Sequence, residues 1–328
     1  MTPTFGIVAF EARTPFGATP RVGAMLPDGT VIDLRSAYRG HLERNEGDPS
    51  AAAIAEVRVP EDTLSFVKGG APSREAADHA LVFAASNGKR ATVGGVPVQL
   101  AFARSEIRLK PAIAPGKMVC TGRNYRAHQE EMGSAAFDDF PRGFIKVGTT
   151  LLGDDSDLPL SPATKELDFE VELAVIIGRR AQNVDKAEAL EHVYGYTILN
   201  DLSARDLQAA ESRQGNHLLG KNLDGLAPLG PAIVPRDFLP DPMNLRLTLT
   251  VNGAVRQDAS TAGMIFDIAT LISHWSQMTL EPGDLIATGT PEGTAAGTKP
   301  RDRAVFLRRG DLVEARVEGI GVLTTRIV

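Results

Sequence analysis

Between Lys165 and Gln208 the chain sets out acids in a pattern that could do chemistry. Asp168, Glu170 and Glu172 alternate with Phe169, Val171 and Leu173, and the run continues into Ala174-Val175-Ile176-Ile177-Gly178. In a strand, alternate residues share a face, so two or three carboxylates would crowd one side of a strand whose continuation reads as buried. Like charges that close, beside a core, are costly unless something cationic sits among them. A hard divalent metal meets that need, because it accepts several carboxylate oxygens at once. A further acid, Asp201, follows the apolar segment Val193 to Leu199, in Asn200-Asp201-Leu202-Ser203-Ala204-Arg205-Asp206-Leu207-Gln208.

Other residues could serve such a centre. His128 and Glu131 stand three apart on a segment, Tyr125 to Met132, that reads as a helix capped by Asn124 and ended by Gly133, so they share a face. As an isolated motif this is most often a surface ion pair. In a site it is a carboxylate orienting an imidazole and raising its basicity, so that it can take a proton from water. Lys221 lies in the small, polar loop Gly220-Lys221-Asn222-Leu223-Asp224-Gly225. Gly289-Thr290-Pro291-Glu292-Gly293 follows a strand and offers N–H groups and hydroxyls to an anion. It lacks the Lys-Ser/Thr ending of a phosphate loop, which excludes nucleotide binding by that device. Cys120 reads as a small core residue rather than a nucleophile. His41, His79 and His274 read as isolated structural or solvent-facing residues.

The elements that must position these groups follow from periodicity and punctuation. Phe5 to Phe10, Val22 to Leu26, Val31 to Leu34 and Val96 to Ala101 read as strands, with Pro27-Asp28-Gly29-Thr30 as a turn. Ala51 to Val57 and Ser73 to Ser86 are alanine-rich and read as helices. Lys110 to Gly116 holds two prolines and a glycine in seven residues, which marks a boundary. The expected organisation is a small N-terminal module, residues 1–110, and a catalytic domain, residues 111–328. Beyond the boundary, Lys117 to Gly122 and Phe144 to Lys146 read as strands. Between them Ser134 to Gly143 is small, acidic and irregular, the composition of a mobile cover. Lys186 to Glu191 reads as a short helix. Leu245 to Val251 alternates as a strand leading into Asn252-Gly253, a strong type I′ hairpin signal. Ala262 to Met278 is apolar at helical spacing through Ile265, Ile268, Ala269, Ile272 and Trp275. Leu285 to Thr288, Gly310 to Ala315 and Gly321 to Val328 read as strands.

Bulk composition bounds the function. The chain has 328 residues, 43% hydrophobic and 23% charged, ordinary for a globular enzyme with a sizeable core. The net charge of −6 argues against a nucleic-acid surface and implies that an anionic substrate needs a local cation. A single cysteine excludes an internal disulfide and suits a reducing compartment. No apolar run approaches the length of a membrane span and no signal-peptide pattern is present, so the cytoplasm is the expected location, with no membrane partner.

Five separated motifs then point one way. They are Gly122-Arg123-Asn124-Tyr125 with His128 and Glu131; Asp168-x-Glu170-x-Glu172; Asn200-Asp201-x-Ser203-Ala204-Arg205-Asp206-x-Gln208; Lys221 with Asp224; and Thr288-Gly289-Thr290-Pro291. In order and spacing the chain resembles the fumarylacetoacetate hydrolase superfamily over residues 112–328, and its first 110 residues resemble, more weakly, the small N-terminal module of longer bacterial members. The resemblance implies an α+β, mainly β fold: a mixed β-sheet roll preceded by a small α+β module, assembled as a homodimer or a higher homo-oligomer. It implies Glu170, Glu172 and Asp201 as metal ligands, Lys221 as a catalytic lysine beside the metal, and Arg205, Gln208 and Thr290 as holders of the substrate, with Tyr125 beside them. His128 and Glu131 match the water-activating pair of the acylpyruvate-cleaving branch. The fumarylacetoacetate-cleaving enzymes use an additional aspartate ahead of the histidine. Here that region reads Cys120-Thr121-Gly122-Arg123, which favours the three-carboxylate branch.

Three oxygen ligands suit Mg²⁺ or Mn²⁺, with Ca²⁺ also admissible, and the lack of Cys and His among them argues against zinc. The open positions of such an ion suit chelation of a small 2-oxo acid. The expected reaction is hydrolysis of the C3–C4 bond of a 2,4-dioxo acid, an acylpyruvate or fumarylpyruvate, to pyruvate and a carboxylic acid. Catabolism of aromatic compounds is the setting this implies. Decarboxylation, isomerisation, hydration or dehydration at the same enolate-stabilising site are the alternatives, and a non-catalytic oxo-acid binder is the outlying one. The remainder of the substrate is expected to meet the cover, the N-terminal module and a neighbouring subunit, with Arg126 and Gln129 as polar candidates.

Overall fold

The computed structural model describes residues 4–14, 17–133, 139–300 and 303–328. It is a mixed α+β structure dominated by β-sheet. Twelve strands form the principal sheet. Its spatial order runs Ala101–Phe102, Val31–Asp33, Gly17–Met25, Gly6–Thr14, Ala227–Pro235, Val193–Asn200, Val171–Ile177, Leu285–Ala287, Met118–Gly122 and Arg142–Lys146. Leu151–Leu152 and Ile107–Leu109 pair alongside. The N-terminal strands are therefore continuous with the later ones, joined where Ile7 opposes Ile233. A second sheet of five strands runs Ser156–Leu158, Gly321–Ile327, Leu312–Val317, Arg246–Val251 and Ala254–Ser260.

The apolar run at 174–177 is central because both of its faces are covered, as a continuous apolar strand requires. Val171, Leu173, Val175 and Ile177 enter the core shared with the five-stranded sheet. Ala174 and Ile176 enter the other core, which the N-terminal helices close. Glu170 and Glu172 are in phase with Ala174 and Ile176, so the carboxylates cap the end of this second core. Register brings Glu172 opposite Leu199 and Val171 opposite Asn200. Leu199 belongs to the same core as Ala174, and Asp201, two residues on, continues that face.

Several local expectations are altered by tertiary bonds. Asp168 does not share one strand with Glu170 and Glu172: Leu167–Asp168 pairs with Ser203–Ala204, and the long strand starts at Val171. The helix expected over 262–278 is confined to Ile268–Trp275. Asp267 caps it by accepting from Thr270 N, while Ile265 and Phe266 donate their N–H groups to Asn124. Asn124 consequently caps nothing. The Arg126–Glu131 helix starts after Tyr125 without a side-chain cap, and Lys186 to Glu191 holds only the start of a 3₁₀ turn, Ala189–His192. Among the described residues four α-helices went unread: Leu34–His41 and Thr63–Lys68, each with an aspartate whose carboxylate accepts from the N–H three residues on, Arg205–Ser212, and Leu219–Asn222, which puts Lys221 on a helical turn rather than in the expected loop. The Asn252-Gly253 turn has positive φ at both residues, 52° and 78°, as type I′ requires.

Leu173 is fully buried next to the site-bearing residues. Leu173→Ala is expected to cost about 2–5 kcal/mol of unfolding free energy, measured by urea denaturation. A cost below about 1 kcal/mol would show that this strand does not anchor the sheet.

Candidate functional site

The carboxylates of Glu170, Glu172 and Asp201 converge at one end of the principal sheet. All three are buried, and each offers an oxygen lying within 4.8 Å of the others. Three cations surround them. Lys221 Nζ donates to Glu170 Oε2 and Asp201 Oδ2, at 2.8 Å each. Lys146 Nζ, also buried, donates to Asp201 Oδ1 at 2.8 Å and to the Lys221 carbonyl at 2.6 Å. Arg205 donates from Nη2 to Glu170 Oε1, from Nε to Asp168 Oδ2, and from Nη1 to Gln208 Oε1.

Asp168 therefore belongs to the scaffold. Besides Arg205, it accepts from the N–H groups of Phe169, Ala295 and Ala296, which saturates its two oxygens. It fixes the guanidinium that faces Glu170 and ties down the loop after Gly289.

The electrostatics single out Glu172. Burial alone would raise the Glu170 carboxyl, but the Lys221 ammonium and Arg205 guanidinium outweigh it and hold it down to about 2. The same carboxylates raise Lys221 and Arg205 against a burial effect that would lower them. Glu172 goes the other way. Burial raises its carboxyl well above the usual range, Asp201 and Glu170 add to the rise, and Lys221 and the Gly289 N–H oppose it without prevailing. Among the described residues no cation pairs with Glu172; its Oε2 accepts from Gly289 N at 2.9 Å. The cluster thus has room for one more positive centre, and its donors are all hard oxygens, which suits Mg²⁺ or Mn²⁺.

A cleft of about 940 Å³ opens onto this cluster. Glu170, Glu172, Asp201, Lys221, Arg205, Gln208, Thr290 and His128 all line it. His128 Nδ1 lies 3.2 Å from Glu131 Oε2, and Glu131 Oε1 accepts from Gly293 N at 3.0 Å. The pair is thus locked to the loop that carries Thr290, and Gly297 is seated on the carboxyl, where a Cβ would fall 2.0 Å from Glu131 Cδ. Thr290 donates to the Val171 carbonyl and accepts from Gln257 Nε2. Gln257 in turn accepts from Val171 N, so it clamps the strand start to the loop.

Other expected residues lie elsewhere. Tyr125 is buried, bridges to Met264 and lines a separate, smaller pocket with Arg126. Gln129 is buried and donates to the Arg123 carbonyl. Of the expected cover, 134–138 fall outside the described residues, while Phe140 and Gly143 line the cleft mouth beside His274 and Trp275. Phe140 stacks on His274, and Trp275 packs where a Cβ on Gly143 would fall. No residue before Thr121 lines the cleft among those described. Cys120 is buried, and burial with Asp201 and Glu172 nearby pushes its thiol up, the opposite of an activated nucleophile.

Lys146 and Gln257 escaped the sequence reading, and His274, read there as isolated, lines the cleft. Lys146 sat at a strand end with no motif around it, and its partner Asp201 is 55 residues away. Lys146→Met leaves Asp201 Oδ1 and the Lys221 carbonyl without their donor. The expected cost is about 3–5 kcal/mol in chemical denaturation. Unchanged stability would mean that this lysine does not balance the buried acids.

Residues 117–328 match the family model described as the fumarylacetoacetate (FAA) hydrolase C-terminal domain. The chain is 41% identical over 243 residues to the mitochondrial oxaloacetate tautomerase FAHD2A of Bos taurus, covering 73% of this chain and 74% of that one. It is 42% identical over 232 residues to the oxaloacetate tautomerase YisK of Bacillus subtilis, covering 69% and 75%. Among solved structures it is similar to a fumarylacetoacetate hydrolase from Exiguobacterium antarcticum, with a TM-score of 0.71, 30% identity, and 98% and 99% of the two chains covered. It is also similar to the fumarylpyruvate hydrolase of Pseudomonas aeruginosa in complex with Mn²⁺ and pyruvate, with a TM-score of 0.60, 30% identity, and 67% and 91% covered. With its family domain spanning most of the chain and its carboxylate cluster inside that domain, this protein belongs to the fumarylacetoacetate hydrolase family.

Proposed function

We propose that the protein catalyses keto–enol interconversion of a short 2-oxo dicarboxylic acid of the oxaloacetate type. The observation that carries this is a buried three-carboxylate cluster with an uncompensated acid, Glu172, facing a cleft that also holds the His128–Glu131 pair. The identity to two oxaloacetate tautomerases moves the reading away from carbon–carbon bond hydrolysis as the first choice.

Glu170, Glu172 and Asp201 would hold a divalent metal, Mg²⁺ or Mn²⁺. When bound, such an ion polarises a 2-oxo group and offsets negative charge developing on its oxygen. The chain's own residues supply the rest. Glu131 accepts the Nδ1–H of His128, which leaves the Nε2 lone pair to take a proton from the carbon next to the oxo group while the enolate oxygen takes one from water; in the reverse direction the enol gives its O–H proton to water and the imidazolium delivers its proton to that carbon. Lys221 has three N–H donors, two of them given to Glu170 and Asp201, so the third can meet the enolate oxygen. Gln208 has Oε1 occupied by Arg205, so its amide N–H groups are the ones offered to the substrate carboxylate. Phe140, Trp275 and the apolar parts of the cleft restrict water around these donors, which strengthens each interaction.

A second reading is favoured by the size of the cleft, which at about 940 Å³ exceeds the need of a four-carbon acid. In that reading His128 takes its proton from water, and the water attacks the C4 carbonyl of an acylpyruvate. The structural similarity to fumarylpyruvate hydrolase supports it. Mass analysis of products from oxaloacetate and a panel of acylpyruvates, alongside the ultraviolet decay of enol-oxaloacetate, separates the two readings. His128→Gln is expected to lower kcat by roughly 10²–10⁴ while Mg²⁺ affinity holds. An unchanged kcat would remove the histidine from the mechanism.

The raised Glu172 carboxyl gives a pH dependence with a definite sign. A proton on Glu172 competes with the ion, so Mg²⁺ affinity should weaken as pH falls below that raised value. Binding should also release up to about one proton per ion. Calorimetry in buffers of different ionisation enthalpy reads the release directly. Mg²⁺ binding that is independent of pH and releases no proton would show that Glu172 is not a ligand.

A further inference from the structure

Away from the cleft, the fold brings together two histidines that are 38 positions apart in the chain, His41 and His79, and sets Glu46 beside them. The His41 and His79 rings stack with centroids 4.5 Å apart and planes inclined by 19°, so shared ligation requires the His79 ring to turn about its Cβ–Cγ bond until both in-plane lone pairs meet. His41 Nε2 lies 3.1 Å from Glu46 Oε1. One ligand atom from each of the three residues lies within 4.8 Å of the others.

Two features give this trio more than proximity. The first is backbone. His41 ends the Leu34–His41 helix, and the next five residues, Leu42–Glu46, form a π-helical turn closed by Gly47 N donating to the Leu42 carbonyl. Residues five apart diverge on an α-helix, whereas a π turn closes i onto i+5. The rare turn is therefore what aims Glu46 at His41. The second is the far side of the imidazole, where Asn45 Nδ2 lies 3.1 Å from His41 Nδ1. With Asn45 donating, the proton sits on Nε2 and points at Glu46. An ion at Nε2 would move that proton to Nδ1, and a half-turn of the Asn45 amide presents Oδ1 to accept it. A ligating histidine commonly has such an acceptor behind it. Among the described residues no hydrogen bond engages the His79 ring. His41 keeps 12% side-chain exposure, so an ion can reach the trio from solvent.

We propose that His41, Glu46 and His79 form a second metal site, for a borderline transition ion of the Zn²⁺ class. Two imidazoles and one carboxylate are a donor set for Zn²⁺, Co²⁺ or Ni²⁺, and a poor one for Mg²⁺. The fourth position opens to solvent. An ion here would cross-link the end of the Leu34–His41 helix, the π turn and the middle of the Gly70–Asn87 helix, adding to packing and to the Arg44 Nη1 donation to Asn87 Oδ1. The site is independent of the proposed reaction, since none of the three residues lines the cleft.

The test uses the full chain, stripped with chelator and kept in excess Mg²⁺ so that the carboxylate cluster competes less for the titrant. Zn²⁺ titration by calorimetry should find one ion per chain, and Co²⁺ should give the visible absorption of a low-coordinate site. Glu46→Gln removes an exposed ligand without disturbing the core, and His79→Gln removes an imidazole. Each should weaken Zn²⁺ binding by at least about tenfold, and Asn45→Ala by about tenfold. Circular dichroism and turnover of the 2-oxo acid should stay at wild-type levels. Zn²⁺ should raise Tm in the wild type and not in His79→Gln. The proposal is overturned if the wild type takes up no Zn²⁺ under excess Mg²⁺, or if Glu46→Gln and His79→Gln bind it as tightly as the wild type does.

Discussion

The constraint on which this structure turns is charge balance in a place with little water. Asp168, Glu170, Glu172 and Asp201 are buried together, and Lys146, Arg205 and Lys221 are buried with them. Four acids against three cations leave one negative charge over. An isolated buried carboxylate is expensive, and relief comes through a proton or an added cation. The strain falls on Glu172, whose one direct partner among the described residues is a backbone N–H. The scaffold has thus prepared a receptor for positive charge by withholding one side chain from an otherwise matched network.

Much of the surrounding architecture serves that network. Glu170 and Glu172 obtain their direction from a strand whose apolar residues are divided between two cores, which leaves no freedom to slip register. Asp201 is placed by the neighbouring strand in the same phase. Arg205 and Gln208 lie on one helix, Arg205–Ser212, with Asp168 holding the arginine from behind. The loop after the Leu285–Ala287 strand binds the Glu172, Glu131 and Asp168 carboxylates through its own N–H groups. That loop, read initially as a possible anion seat, is occupied by the protein's own anions. It brings the His128–Glu131 pair and the carboxylate cluster into one frame, as the proposed proton transfer at a fixed carbon would require.

The reaction reading shifted with the similarity to oxaloacetate tautomerases, and there is a physical reason why the residues alone did not decide it. An imidazole oriented by a carboxylate can accept a proton from water or from an activated carbon; the pair does not say which. What sits within its reach decides, and that depends on the shape of the whole cleft. The same cluster can stabilise an enolate reached by either route, so the relatives carry weight that the motif alone does not.

Local information was enough for whatever is decided within a few residues. Alternation of acids and apolar residues at 168–177, the Asn252-Gly253 turn, the helical spacing of His128 and Glu131, and most strands follow from short-range periodicity and backbone preference. The two-segment origin of the carboxylate cluster was legible too, because like charges beside apolar runs have few physical resolutions. Long-range placement was not. Lys146 carries no local mark of burial, and only the approach of Asp201 from 55 residues away makes its charge tolerable. Asp168 resembles its neighbours in spacing, yet the break in pairing before Val171 turns it to Arg205. The helix expected over 262–278 lost its first turns to bonds with Asn124. His41 and His79 looked solitary because their meeting depends on how two helices pack. Sequence set the chemistry available to each segment; the fold decided which charges would meet, and so which of those chemistries this protein has in one place.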